Sequence, residues 1–375
     1  MLLQMVRGQK YRGHDIAPCN LTSYLASSQL QGHEVRVPRR IEDQVILGPV
    51  LCRTDDEYPA IGPDLSAPAS TINPEPPTYC LRFCPVPGYD HLLGLANEDG
   101  RVAIQDTSRV TPKIPLTGYP CHDNAIFDIA WSHENVNTMV TVSGDMKVSL
   151  WDLSTQDLET MTKVREFGGH SRSVKCVEWR PGSASQFCTG ARDNTIMLWD
   201  TRDRSDTSPE NIIRGAHGLP GAGVTKRRRQ ETDSLSTGVV TSLVWLDENI
   251  MASAGDKDGA VKLWDLRKNY SLYRGEPVPV TEFPHPGDSS TVGYTSLAAL
   301  PGTRQLLASC MDDKIYRYNT LGGERTPAAV YTGSRITNFF IKMALSPCGR
   351  YMAGGSADNW AYIWSLDSPG DPVAR

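Results

Sequence analysis

The sequence predicts an all-β fold, a propeller built from repeated four-stranded sheets. Three observations predict it: one short spacing recurs six times, the residues within each copy alternate in polarity, and the copies lie a blade's length apart. Each copy is an Asp, five residues, then an aromatic or its stand-in. The pairs are Asp99 to Gln105, Asp145 to Trp151, Asp193 to Trp199, Asp258 to Trp264, Asp312 to Tyr318 and Asp358 to Trp364. Intervals between successive aromatic positions are 46, 48, 65, 54 and 46 residues, against roughly 40–45 for a four-stranded blade.

Within the copies, Val102 and Ile104, Val148 and Leu150, Ile196 and Leu198, Val261 and Leu263, and Ala361 and Ile363 fall two residues apart, with mostly polar residues between. Period two marks a strand with unlike faces. Arg317 breaks the pattern in the Tyr318 copy. Each Asp sits where a tight turn is expected, often beside Gly or Asn, and its carboxylate can accept turn amides. Upstream of several copies stand His122, His170 and His217, each followed by a second strand (AIFDIAW, SVKCVEW, VVTSLVW). The His, Asp and Trp residues are assigned to folding rather than catalysis.

The 375 residues carry 38 Lys+Arg against 43 Asp+Glu, a net charge of -5, and are 39% hydrophobic. Such a chain can fill a core, which excludes global disorder. Mild acidity argues against a protein that coats nucleic acid or anionic membrane. No apolar run approaches ~18 residues, and the N-terminus MLLQMVRGQKYRGHD has no signal-peptide core, so a soluble intracellular protein is expected. Nine scattered cysteines and eight histidines offer no paired metal ligands. No nucleophile elbow or phosphate loop is present, so no cofactor, no metal and no catalytic residue is expected.

Residues 1–78 read as an irregular N-terminal segment. Its one convincing strand is 44–53 (QVILGPVLCR), and 54–78 is a Pro-rich linker. The propeller is expected over 79–375. Six blades are detectable where this repeat usually gives seven, and the eleven residues after Trp364 are too few for another. The favoured reading is a ring incomplete at the C-terminus because the chain is truncated. In the other, the N-terminal strand helps close it.

The 65-residue interval holds an insertion at about 218–237, rich in Gly, Ser and Thr, with Lys226, Arg227, Arg228 and Arg229 at its centre. A short basic run on a surface loop is a nuclear import candidate. A solvated charge cluster and a phosphate-binding finger are the other readings.

Two copies continue past the aromatic as Trp199-Asp200-Thr201-Arg202 and Trp264-Asp265-Leu266-Arg267, while the earlier copy has Ser154 at the Arg position. An Arg just beyond a blade strand should point into solvent, with no evident duty inside the blade. Guanidinium groups make bidentate contacts and are enriched at interface hot spots. Two in neighbouring blades place like anchors on one rim. Asn124 and Arg172, in loops just after His positions, are candidates for a substrate surface on the opposite rim.

The GH…WD pattern, covering about residues 79 to 366, resembles the WD-repeat family. The paired WDxR boxes resemble those of substrate receptors for cullin-RING ubiquitin ligases. KLWDLRKNYSLYRGEP (262–277), TGARDNTIMLWDTR (189–202), AIFDIAW (125–131), LANEDGRV (95–102), SADNWAYIW (356–364) and the basic insertion together resemble the denticleless family. That resemblance implies a non-catalytic, nuclear substrate receptor of a cullin-4 RING ligase. It would dock on the damaged-DNA-binding adaptor through Trp199, Asp200, Arg202, Trp264, Asp265 and Arg267. Its substrates would be replication and cell-cycle proteins held on the DNA-loaded sliding clamp. A non-ligase scaffold of a chromatin complex is the alternative.

Overall fold

A computed structural model describes residues 76–108, 118–153, 161–202, 208–218, 238–272, 277–287 and 292–375. The proposed strand 44–53, the linker up to 75, Ser154 and the run Lys226–Arg229 lie outside the described residues. The described residues contain 23 strands in six antiparallel sheets. The first sheet joins β1 (Thr78–Phe83), β2 (Leu92–Asn97), β3 (Arg101–Asp106) and β4 (Tyr119–Pro120). The second joins β5 (Ile126–Trp131), β6 (Thr138–Ser143), β7 (Val148–Asp152) and β8 (Thr162–Phe167). The third joins β9 (Val174–Trp179), β10 (Gln186–Ala191), β11 (Thr195–Asp200) and β12 (Asn211–Arg214). The fourth joins β13 (Val240–Trp245), β14 (Ile250–Gly255), β15 (Ala260–Asp265) and β16 (Thr281–Pro284). The fifth joins β17 (Tyr294–Ala299), β18 (Gln305–Cys310), β19 (Lys314–Asn319) and β20 (Ala329–Tyr331). The sixth joins β21 (Met343–Leu345), β22 (Tyr351–Gly355) and β23 (Ala361–Ser365). No helix among the described residues is long and apolar enough to cross a membrane.

The expected Asp turns are the hairpins between the second and third strands. The residue after each Asp has a left-handed backbone: Gly100, Met146, Asn194, Gly259, Asp313 and Asn359, with φ between 60° and 74°. Asp145, Asp193 and Asp358 accept the amides of Lys147, Thr195 and Trp360 at 3.0, 3.1 and 3.2 Å.

The third strands depart from the unlike faces that period two predicts. In β7 and β11 the central residues are buried on both sides, including Ser149 and Met197. The second and third sheets are each sandwiched between two others, so the polar face of the pattern is also covered. Inner strands are stitched blade to blade: Asp128 accepts Val177 N at 3.1 Å, and Ser242 accepts Leu297 N at 3.0 Å. Arg317 also works between blades, donating through Nη1 to the Leu366 carbonyl at 2.9 Å.

The sixth sheet gains an edge from the chain's last residues. Val373 N donates to the Ile363 carbonyl at 2.7 Å, and Ile363 N donates to the Ala374 carbonyl at 2.9 Å. Tyr79 of β1 stacks on Phe340, just before β21, with 4.9 Å between ring centroids, so the sixth and first blades meet.

Candidate protein-docking site

The recurring His, Asp and Trp form a relay in each of the second, third and fourth blades. Trp199 Nε1 donates to Thr189 Oγ1 at 2.8 Å, that hydroxyl lies 2.7 Å from His170 Nε2, and His170 Nδ1 lies 3.1 Å from Asp193. Trp151–Thr141–His122–Asp145 and Trp264–Ser253–His217–Asp258 repeat it, with every step between 2.7 and 2.9 Å. Each hydroxyl accepts from the indole and hydrogen-bonds Nε2, and each Nδ1–H donates to a carboxylate; among the described residues Asp258 Oδ1 is the one relay carboxylate oxygen that is buried without a partner. The relay is buried and holds the third strand to its own blade's entry loop. It has no open face for a substrate. In the fifth blade, His285, Cys310 and Asp312 bring their ligand atoms within 4.8 Å. Burial pushes the Cys310 thiol up, away from thiolate, and Asp312 already accepts from His285 and Tyr316. This grouping is the blade's own His–Asp pair with tyrosines added.

The two WDxR arginines grow out of this framework. Trp199 and Trp264 are fully buried, so they position the segment and touch no partner. The next residue stays on the ladder: Thr201 N donates to the Ser185 carbonyl and Leu266 N to that of Asn249, both at 2.9 Å. One residue later the side chain must face outward. Arg202 and Arg267 are 73% and 68% exposed, which places both guanidinium groups in solvent as expected.

The expectation that they have no duty inside the blade is corrected. Arg267 forks onto Asp265, Nε to Oδ1 at 2.9 Å and Nη2 to Oδ2 at 2.7 Å, and its backbone N–H donates to the same carboxylate at 3.1 Å. Arg202 does likewise with Asp200: Nε lies 3.0 Å from both oxygens and Nη2 lies 2.5 Å from Oδ2. Side-chain hydrogen bonding from Arg267 holds the Asp265 carboxyl below its ordinary range. Burial opposes the same shift at Asp200, and the bonds from Arg202 outweigh it. The second residue of the box, Asp200 or Asp265, aims the fourth, leaving each Nη1 without a hydrogen bond among the described residues.

Sequence reasoning missed the clip between the two boxes. Asn211, at the start of β12, donates through Nδ2 to the Lys268 carbonyl at 2.8 Å and accepts Tyr270 N at 2.8 Å. Ser271 Oγ accepts Ile212 N at 2.8 Å. The third blade therefore grips the short 3-10 turn Tyr270–Leu272 that follows Arg267. An Asn opening an outer strand carries no motif, and its role exists only once the blades are adjacent.

Asn124 and Arg172 precede β5 and β9 by two residues. Alternating strand direction puts the starts of innermost strands on the rim opposite the ends of third strands, so the two candidates lie across the disc from Arg202 and Arg267. Asn124 is exposed and its Oδ1 accepts Ala125 N at 2.8 Å; Arg172 is half-buried.

Stacked antiparallel blades and an inner His–Asp–Trp relay define a WD-repeat propeller. The WD domain, G-beta repeat model matches residues 113–152, 161–200, 230–265 and 326–365. It passes over the first and fifth blades, where Gln105 and Tyr318 replace Trp. A chain of the crystal structure of the mitotic checkpoint complex is 16% identical, with a TM-score of 0.56 over 80% of this chain and 76% of that one.

The chain belongs to the denticleless family. It is 36% identical over 332 residues to protein lethal(2)denticleless of Drosophila melanogaster, covering 85% of this chain and 42% of that protein. It is 38% identical over 339 residues to denticleless protein homolog A of Xenopus laevis, covering 87% and 46%. Against the denticleless protein homolog of Homo sapiens it is 35% identical over 341 residues, covering 88% and 45%. The chain thus spans less than half the length of these relatives.

Proposed function

We propose that this protein is a non-catalytic substrate receptor of a cullin-4 RING ubiquitin ligase. In this reading Arg202 and Arg267 dock on the damaged-DNA-binding adaptor, and the adaptor links the receptor to cullin-4 and the RING subunit. The opposite rim, with Asn124 and Arg172, presents replication and cell-cycle proteins held on the DNA-loaded sliding clamp, in the nucleus. Lys226–Arg229 would serve nuclear import. The receptor does no chemistry; it raises the effective concentration of a substrate lysine beside a ubiquitin-loaded enzyme.

One observation carries the reading: two exposed guanidinium groups at matching positions of neighbouring blades, each aimed by its own Asp. Such aimed, planar donors suit bidentate capture of partner carboxylates or carbonyls. The test is recovery of the adaptor by the wild-type chain and by the Arg202→Ala, Arg267→Ala double variant. The expected result is loss of adaptor from the variant at unchanged melting temperature. Equal recovery would favour a non-ligase scaffold of a chromatin complex.

A further inference from the structure

On the rim opposite the arginines, three blades contribute one aromatic each to a common stack. Tyr79 lies on Phe340 at 4.9 Å and 16°, and on Phe127 at 5.7 Å and 23°; Phe127 and Phe340 are 6.2 Å apart at 21°. Phe340 is exposed. Lys175 of the third blade sets its Nζ 3.1 Å from the Phe127 ring centroid. Tyr79, Phe127 and Lys175 each hold the second position of an innermost strand, so the group sits at the mouth of the central channel.

Among the described residues, neither Lys175 nor Arg192 has a carboxylate within ion-pair distance. Burial, then the like charges of Arg192 and Lys342, lowers the Lys175 pKa to about 8. Arg172 and the exposed Arg335 stand on the same rim. Several carboxylates of that rim are engaged: Asp145, Asp193, Asp258 and Asp312 hold His122, His170, His217 and His285, Asp256 and Asp313 accept the amides of Val239 and Ile336, and Asp358 accepts from the Tyr362 hydroxyl. Asp123 is exposed, and Asp128 is paired with Arg82. An aromatic platform edged by unpaired cations complements a chain bearing carboxylates and an apolar side chain.

We propose that the channel mouth formed by Tyr79, Phe127, Phe340, Lys175 and Arg192 binds an extended acidic segment of a partner protein. A carboxylate pairs with Lys175 and Arg192, and a neighbouring apolar side chain lies on Phe340. This deepens the reading of that rim as the substrate-bearing face and rests on it. The test omits the adaptor, so failure here leaves the arginine docking untouched.

The purified chain is titrated into a fluorescein-labelled peptide of about a dozen residues, alternating Glu and Ser around one Phe, and anisotropy is read. The expected result is saturable binding that weakens roughly tenfold in Arg192→Glu and severalfold in Phe340→Ser. Arg267→Ala should bind like wild type. Arg192 and Phe340 are exposed, so these variants should keep their fold, checked by melting temperature. The proposal is overturned if the Lys-for-Glu peptide binds as tightly, if neither variant weakens binding, or if single-stranded DNA of equal length outcompetes the acidic peptide.

Discussion

Asn211 holds the turn that begins at Tyr270: its Oδ1 accepts the Tyr270 backbone N–H at 2.8 Å from the neighbouring blade, while its Nδ2 donates to Lys268. Both backbone partners belong to the segment leaving Arg267. Truncation to Ala orphans a buried N–H and a carbonyl, so Asn211→Ala should cost about 1–3 kcal/mol in chemical denaturation. It should also speed amide exchange at Tyr270 and Ser271. Adaptor recovery should fall although both arginines remain. Unchanged exchange at those amides would show that the clip does not set the rim.

The relay hydroxyls are shared, which makes them sensitive points. Thr189 Oγ1 serves both Trp199 and His170 inside the third blade. Thr189→Ala should destabilise by about 2–3 kcal/mol, because two buried groups lose one partner. Thr189→Ser should cost only about 1 kcal/mol, the loss of a buried methyl. The fourth blade already uses Ser253 in this role. The fifth blade has Ala308 at the matching place, and there the Tyr318 hydroxyl pairs with that of Tyr294 at 3.2 Å. Urea midpoints of the two variants decide the matter; equal losses would mean the methyl, not the hydroxyl, is what counts.

The blades were legible because each is a local object. The Asp-to-Trp spacing is set within one hairpin, and six turns with the same left-handed residue follow from it. The outward aim of Arg202 and Arg267 was legible too, since it depends only on strand register. What lay beyond the sequence depends on neighbours. The covered second face of β7 and β11 needs adjacent sheets. The fork of Arg267 on Asp265 needs a side-chain direction that spacing does not give. The Asn211 clip and the Tyr79–Phe340 stack join residues 59 and 261 positions apart, and nothing local marks them.

Met146 occupies the left-handed turn position with φ 70°, where two other blades have Gly. Its side chain is exposed, so little packing repays the strain. Left-handed geometry costs an L-residue ~1–2 kcal/mol, and Gly gives part of that back in backbone entropy. Met146→Gly should therefore stabilise by about 0.5–1 kcal/mol. The reverse change, Gly259→Met at φ 60°, should destabilise by more than that, because Gly259 is buried and a side chain must also be accommodated there. Differential scanning calorimetry on the pair reads both signs, and a loss of stability in Met146→Gly would refute the account.

Acid should loosen the relay through its carboxylates. At Asp258, burial pushes the carboxyl upward, but the charge and hydrogen bond of His217, then Lys262, outweigh it and hold the folded pKa below its ordinary value. Asp145 and Asp193 are lowered in the same sense, against burial, by His122 and His170. A carboxylate depressed in the folded state stabilises fully above its unfolded value, about 3.9, and that share is lost as pH falls through the folded value. Unfolding free energy should therefore decline from about pH 5 downward. Asp258→Asn lacks the ionised partner throughout, so it should be less stable than wild type at neutral pH. The gap between the two should narrow as pH falls from about 6 to about 3, read from urea midpoints at each pH. A gap that stays constant over that range would mean that the His217–Asp258 contact stabilises by shape and hydrogen bonding alone, with no contribution from the carboxylate's charge.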